Sequence, residues 1–351
     1  MTESIVDWDL AESLGRRLAG RADSGWITPE AAAAATKRAA GAVADYTGLE
    51  TADPLPIGES VARDEWISVN LTMLRDGTEA FERGAGRQEL PGPLGAIVRD
   101  VGGRIVAAEA GAVLGFAGQR VLGQYDVALI GPRRPPRLLF VAPNIVAVAE
   151  RIGHGRELLD WIALHEVTHA LQFGAASWLQ PHLGQRIEAL LASNDARGMA
   201  SNLLRTARSA LARDPRELLH AARSIDPLRS LLGPEQAELL SGLQSAMSAI
   251  EGYADFVMDE AGAAAGLDST SMRAAFDARR RTRGPLETLL ARILGLELKL
   301  RQYREGRRFA EAVAEKGGID ALNLLWSGPE GLPAPGELAE PAAWLARMAD
   351  A

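Results

Sequence analysis

The stretch Asp160-Trp161-Ile162-Ala163-Leu164-His165-Glu166-Val167-Thr168-His169-Ala170-Leu171-Gln172-Phe173 carries His-Glu-x-x-His inside an apolar run with helical periodicity. Residues four apart lie on one face of an α-helix, so His165 and His169 can both reach one metal ion. Glu166 then lies beside any water that the metal binds. Gly174 follows as a helix stop. The sequence therefore predicts a metal-binding helix at this point.

The composition narrows the kind of metal site. The 351 residues include no cysteine, which excludes disulfides, thiolate zinc sites, iron–sulfur clusters and a cysteine nucleophile. Histidine and carboxylate remain as the strong metal ligands. The net charge of -8 argues against a general nucleic-acid surface. The arginine-rich run 279–283 is interpreted as a solvated helix end or an ion-pair site rather than an anion-binding patch. We expect no nucleic-acid partner.

The N-terminus and the hydropathy bear on localisation. Residues 1–7 are acidic and lack the basic region and apolar core of a signal peptide. The most hydrophobic stretch elsewhere, 105–118, is short for a membrane span and contains Glu109. The absence of cysteine is consistent with a reducing compartment. We expect a soluble, cytoplasmic protein with no membrane partner.

Helical patterns dominate the chain, and they predict a mainly α, nearly all-α fold. Thr28-Pro29 is an N-cap followed by proline at the first helical position, and the helix is predicted to run to about Tyr46. The proline-containing segment 51–63 is interpreted as a linker to the next helix. The further predicted helices are 64–81, 181–191, 215–224, 234–261, 272–281, 285–303, 306–315 and a final short one with Trp344.

Two strands are predicted at 124–130 and 138–141, as a small β-hairpin or sheet that precedes the metal helix. Small residues over 94–123 suit helices packed backbone to backbone. The glycine- and proline-rich segment 84–93 is a candidate boundary, which divides the chain into an N-terminal helical subdomain, 1–93, and a catalytic domain, 94–351. The alternative is one continuous globular unit.

A catalytic zinc needs a third protein ligand. The metzincin extension would place glycine at 172 and histidine at 175, whereas the chain has Gln172 and Ala175. Glu251 is the best candidate, because it lies in an apolar helix where a buried carboxylate needs a cation or hydrogen-bond donors. Asp255 is one turn further on and could accept the free N–H of a ligating histidine.

Other residues remain candidates for parts of such a site. His154 and His182 flank the metal helix and are alternative third ligands, or a fourth ligand that would close a structural site. Tyr253 and Tyr303 are possible donors to the oxyanion of a transition state. No spacing rule places either hydroxyl near the metal.

The segment 161–173 together with Glu251-Gly252-Tyr253-Ala254-Asp255 resembles a family of zincin-like metalloproteases that is found largely in actinobacteria and has no assigned substrate. The resemblance runs along nearly the whole chain. It implies a zincin-like architecture with a glutamate third ligand, and zinc as the cofactor.

The predicted function is a zinc-dependent metallopeptidase. His165, His169 and Glu251 bind zinc, and Glu166 activates water for attack on the carbonyl of a peptide or protein substrate. A zinc hydrolase with a non-peptide substrate would have the same site. The alternative from another class is a catalytically silent interaction or regulatory protein in which zinc is structural or absent. The oligomeric state is not predicted.

Overall fold

The structure, a computed structural model, describes residues 6–84, 93–192, 233–281 and 296–350. Helices make up most of these residues, as predicted. The elements of the first half are α1 (Trp8–Ala19), α2 (Pro29–Thr47), β1 (Gly58–Val61), α3 (Arg63–Gly84), α4 (Pro93–Gly118), β2 (Gly123–Asp126) and β3 (Arg137–Val141). Those of the second half are α5 (Ala142–Ile152), α6 (Glu157–Ala175), α7 (Leu179–Ala192), α8 (Pro234–Ala264), α9 (Ser269–Arg281), α10 (Leu296–Asn323) and α11 (Pro341–Ala349), with short 3₁₀ turns at Leu324–Trp326 and Pro329–Gly331.

The sheet has three strands in the order β1-β3-β2. β2 and β3 pair antiparallel, with Gly123 opposite Phe140, which confirms the predicted pairing. The predicted first strand was too long, because β2 ends at Asp126. The linker expected at 51–63 instead contains β1, which pairs in parallel with β3. The predicted mainly α fold with a small sheet is confirmed, but the description as nearly all-α is corrected, because the sheet is mixed and has a third strand.

The central strand β3 divides the hydrophobic core into two clusters. Leu138 and Phe140 point into the larger cluster, which includes residues of α2, α6, α8 and α10. Leu139 and Val141 point to the opposite face, where α1, α3 and α4 pack. All four side chains are fully buried. This explains why β3 is a continuous apolar run rather than an alternating one, since both faces of the strand are covered.

Local signals placed several helices correctly. The hydroxyl of Thr28 accepts the backbone N–H of Ala31, and α2 ends one residue beyond the predicted end.

The small residues of α4 allow close packing against α1, as expected. A Cβ atom added at Gly111 would lie 2.5 Å from the carbonyl oxygen of Ala11. Only glycine permits the two backbones to approach this closely.

The later helices differ in part from the prediction. The expected break between 303 and 306 is absent, because α10 continues through it and has its non-helical residue at Gly318, with φ of 71°. This interruption lies shortly after residue 315, where the predicted helix 306–315 ends. The predicted helix 215–224 lies outside the described residues, as do 85–92 of the candidate domain boundary.

Segments from both predicted domains share the same core. β1 pairs with β3, and α2 packs against α6.

In α4, the stretch Val101–Gly118 has a mean hydropathy of 1.3 and is long and apolar enough to cross a membrane. Length and composition are weak evidence, because core helices of soluble proteins pass the same test. The contact of α4 with α1 gives this helix a partner within the protein.

Candidate metal centre

Two histidines on α6 converge on one point. His165 and His169 are one helical turn apart, and their rings meet edge to face with centroids 4.7 Å apart. Their Nε2 atoms are 3.2 Å from each other. Both side chains are largely buried, with 19% and 11% exposed. The helix therefore presents two ring nitrogens to a shared site, as the spacing predicted.

Glu251 of α8 completes the group. Its Oε2 lies 3.6 Å from Nε2 of His165 and 3.5 Å from Nε2 of His169. At zinc–ligand distances of about 2.0–2.2 Å, the corners of a tetrahedron are about 3.3–3.6 Å apart. The three donor atoms therefore fit a tetrahedral zinc site with one open corner. Among the described residues, no other three His, Asp or Glu side chains were found in such an arrangement.

Two glycines allow α8 to hold Glu251 in this position. Gly252 on α8 and Gly306 on α10 lie against each other's backbones, and a Cβ atom at either would overlap the partner helix. Glycine in a helix costs about 0.5–1 kcal/mol relative to alanine, so the close crossing must compensate for that cost. Gly252, next to Glu251, thus permits the close contact between α8 and α10 that positions the Glu251 carboxylate.

Gln172 orients His169, a role that the sequence reasoning missed. The side-chain amide of Gln172 donates to the carbonyl oxygen of Ile250, which leaves its Oε1 directed at Nδ1 of His169, 2.8 Å away. Nδ1 therefore carries the proton that Oε1 accepts, and Nε2 faces the other ligands. The signal was available, because Gln172 lies one turn after His169 on α6.

Asp255 lies beside the other histidine, as predicted, although beyond hydrogen-bond distance. Its Oδ1 is 3.7 Å from Nδ1 of His165, and this nitrogen is buried without a hydrogen-bond partner. The same Oδ1 accepts from Arg273 of α9 at 3.2 Å. Sequence reasoning did not find Arg273, since nothing in its own segment points to α8.

Glu166 occupies the position expected of a base. It is 7% exposed, and its Oε2 accepts the backbone N–H of Tyr125 in β2 at 2.8 Å. Burial raises the pKa of the Glu166 carboxyl above its ordinary value, against the opposing effect of His165 and His169. A carboxylate with a raised pKa is better matched to accepting and returning a proton near neutral pH.

The side chains of His165, His169 and Glu251 also interact strongly with one another without a metal. Burial by itself lowers the pKa of His169, but hydrogen bonding to the Glu251 carboxylate outweighs it and the pKa rises to about 9. For Glu251, burial acts to raise the pKa, but the imidazole rings of His165 and His169 beside its carboxylate prevail and lower it. The two pKa shifts thus hold His169 in its protonated form beside an ionised Glu251 when no metal is bound.

The structure gives other contacts to those remaining candidates whose side chains it describes. The hydroxyl of Tyr253 donates to Oδ1 of Asn323 at 2.7 Å, so its proton is already committed. Tyr303 is on α10, and its side chain lies outside the described part. His154 contacts Ser271 Oγ at 3.1 Å, and His182 stacks edge to face on Trp178. The structure therefore groups neither histidine with the three ligands.

The chain is similar to known proteins along nearly its whole length. A family model described as zincin-like metallopeptidase matches residues 6–345. A crystal structure described as "a putative hydrolase with a novel fold" from Chloroflexus aurantiacus is 27% identical in sequence, with a TM-score of 0.67 and coverage of 99% of both chains. No curated protein matches the chain. The similarity to this structure therefore extends over the whole fold rather than over the motif alone.

Proposed function

Because the chain belongs to the zincin-like metallopeptidase family, we propose that it is a zinc-dependent hydrolase of peptide bonds, with His165, His169 and Glu251 as the zinc ligands. The observation that carries the proposal is the convergence of these three donor atoms, 3.2–3.6 Å apart, beside a buried Glu166. Zinc bound there would polarise a carbonyl and lower the pKa of a water molecule at the site to about 7.

Glu166 would move the proton. Its Oε2 is held by the N–H of Tyr125, which leaves Oε1 to accept a proton from the attacking water. The same carboxyl would then deliver that proton to the nitrogen of the leaving amine. The raised pKa of Glu166 suits both halves of this transfer. A general acid–base of this kind contributes about 10²–10⁴-fold to the rate.

The position of β2 favours a peptide over other substrates. β2 is an edge strand, and the N–H of Tyr125 points to Glu166 and away from β3. Backbone groups of alternate residues in a strand face the same side, so the outer edge of β2 runs past the proposed base. The N–H of Tyr125 is taken by Glu166, but an extended peptide could add to the rest of this edge through main-chain hydrogen bonds, which would place a scissile carbonyl near Glu166.

A silent protein with structural zinc is the second candidate, and the site geometry argues against it. A structural site is closed by a fourth protein ligand. The described residues bring three donors together, and His154 is engaged with Ser271 instead. Among the described residues, one tetrahedral position therefore stays open for water or substrate, which is the property of a catalytic site.

The first experiment is elemental mass spectrometry on tag-free protein, with His165→Ala and Glu251→Ala measured alongside. We expect about one zinc per chain, and a large loss of zinc in both variants. Full zinc content in Glu251→Ala would reject Glu251 as a ligand. Absence of zinc after reconstitution of the parent protein would reject the hydrolase proposal. A peptide library, with a hydroxamate as a probe of the open position, would then test for cleavage.

A further inference from the structure

A charged network lies on the far side of His165 from the proposed zinc position. Its centre is Arg273 on α9, which donates through NH1 to Oδ1 of Asp255 at 3.2 Å and through NH2 to the Asp255 backbone carbonyl at 3.1 Å. Both Arg273 and Asp255 are largely buried, with 16% and 10% of the side chain exposed. Arg273 therefore binds both the carboxylate and the main-chain carbonyl of Asp255.

Arg273 is itself held rigidly. Its Nε donates to Oδ2 of Asp259 at 3.0 Å, and its guanidinium lies 5.0 Å from the centre of the Trp161 ring. Trp161 in turn donates its indole N–H to Oδ1 of Asp259 at 3.2 Å. Arg307 of α10 adds a second cation to Asp259. Because these contacts fix the guanidinium of Arg273, it can in turn fix the orientation of the carboxylate that it binds.

The carboxylate that Arg273 holds is next to an unsatisfied donor. Nδ1 of His165 is buried and has no hydrogen-bond partner, and Oδ1 of Asp255 is 3.7 Å away. When Nε2 of His165 binds a metal, its ring must carry the proton on Nδ1, and that N–H needs an acceptor. A small rotation of the Asp255 carboxylate about its contact with Arg273 would supply one.

We propose that Arg273 is a positioning residue for the metal centre, which holds the Asp255 carboxylate beside Nδ1 of His165 and thereby strengthens zinc binding. The inference rests on the proposed function, because it requires His165 to be a zinc ligand. The packing of α9 against the protein also bears on the site. Met272 is fully buried, and the ring of Phe276 packs on that of Trp161 with centroids 5.6 Å apart. These contacts fix α9 and therefore the position of Arg273.

A purely structural role for Arg273 makes a different prediction. Arg273 would then stabilise the contact between α8 and α9, and its loss would lower the melting temperature without changing zinc affinity. If Arg273 acts through Asp255, the two residues must be coupled in zinc binding. A double-mutant cycle measures that coupling directly.

The experiment measures the zinc dissociation constant by chelator competition for the full-length protein, Arg273→Gln, Asp255→Asn and the double variant. We expect each single substitution to weaken binding about tenfold, in the range found for outer-sphere partners. The double variant should bind zinc no more weakly than Asp255→Asn alone. Arg347→Gln is the matched control, because Arg347 likewise joins a carboxylate, Glu337, to backbone carbonyls. It should lower stability and leave zinc affinity unchanged.

Unchanged affinity in Arg273→Gln, or losses that simply add in the double variant, would overturn the inference while leaving the three zinc ligands in place. A full-length protein that binds no zinc would overturn both the ligand assignment and this inference. Should Arg273→Gln fail to fold, Arg273→Lys is measured instead. Lysine keeps the charge but loses the forked contact, so we expect a smaller loss of affinity, and an unchanged value would again overturn the proposal.

Discussion

Gly123 in β2 lies directly against the side chain of Glu166 in α6. A Cβ atom at position 123 would be 2.6 Å from both Cγ and Oε1 of that glutamate. The strand thus approaches the metal helix closely enough for its backbone to bind the carboxylate, through the N–H of Tyr125. Residue 123 must be glycine for Glu166 to keep this position.

Gly123→Ala should displace Glu166 while sparing the metal ligands. The atoms that a methyl group would strike belong to the glutamate side chain, which can rotate away, so we expect a folded protein with normal zinc content. A misplaced base should lower kcat by one to two orders of magnitude, since about 1 Å of displacement can cost about 10²-fold. Wild-type kcat in Gly123→Ala would show that this contact does not hold the base.

Glu166→Gln tests the base itself. Glutamine preserves the size of the side chain and can still accept the N–H of Tyr125, but it cannot take a proton from water. We expect turnover of a cleavable peptide to fall by about 10²–10⁴-fold with zinc content unchanged. Loss of zinc in this variant would instead indicate that Glu166 is a ligand.

Local signals allowed the convergence of His165, His169 and Glu251 and the positions of several helices to be predicted from the sequence. Helical periodicity puts His165 and His169 on one face, and the cost of a buried carboxylate in an apolar helix points to Glu251. The cap at Thr28 likewise depends only on neighbouring residues. These features are decided within a few residues of the chain.

The features that were missed depend on distant partners. The four residues of β1 pair with Leu138 and its neighbours, about 80 positions later, and nothing local distinguishes them from a linker. Arg273 reaches Asp255 only because α9 packs back onto α8. The contact between Gly252 and Gly306 also appears only when α8 and α10 cross.

Gly306→Ala should destabilise the protein and weaken zinc binding together. The new methyl group would overlap the backbone carbonyl of Ser248, so α8 and α10 would have to separate. We expect a loss of about 1–3 kcal/mol in the free energy of unfolding, measured by chemical denaturation. Zinc affinity should fall as well, because Glu251 is next to the crossing.

Gly41→Ala is the matched control for that substitution. Gly41 lies within α2, and a Cβ atom there would meet nothing within 4 Å. Alanine should therefore stabilise the helix by about 0.5–1 kcal/mol. Equal effects of the two substitutions would mean that the helix crossing imposes no special demand for glycine at position 306.

The pairing of His169 with Glu251 predicts how pH affects the metal-free protein. The pKa of His169 is raised from 6.5 to about 9 in the folded state, so its charged form stabilises the fold fully below about pH 6.5. That stabilisation is lost as pH rises from 6.5 to about 9. The lowered pKa of Glu251 acts in the opposite sense, and its contribution is lost in acid as the carboxylate becomes protonated. Thermal denaturation of chelator-treated protein across this range should show the alkaline decline.

Zinc binding should remove this loss of folding stability at alkaline pH, because the metal takes the place of the proton between His169 and Glu251. Binding then requires His169 to lose its proton, so the apparent zinc affinity should increase by up to about tenfold per pH unit below the His169 pKa of about 9. Glu251→Gln removes the carboxylate that raises this pKa, and its metal-free form should show no comparable loss of stability between pH 6.5 and 9. A metal-free parent protein whose stability is flat over that interval would contradict a shared proton in the empty site.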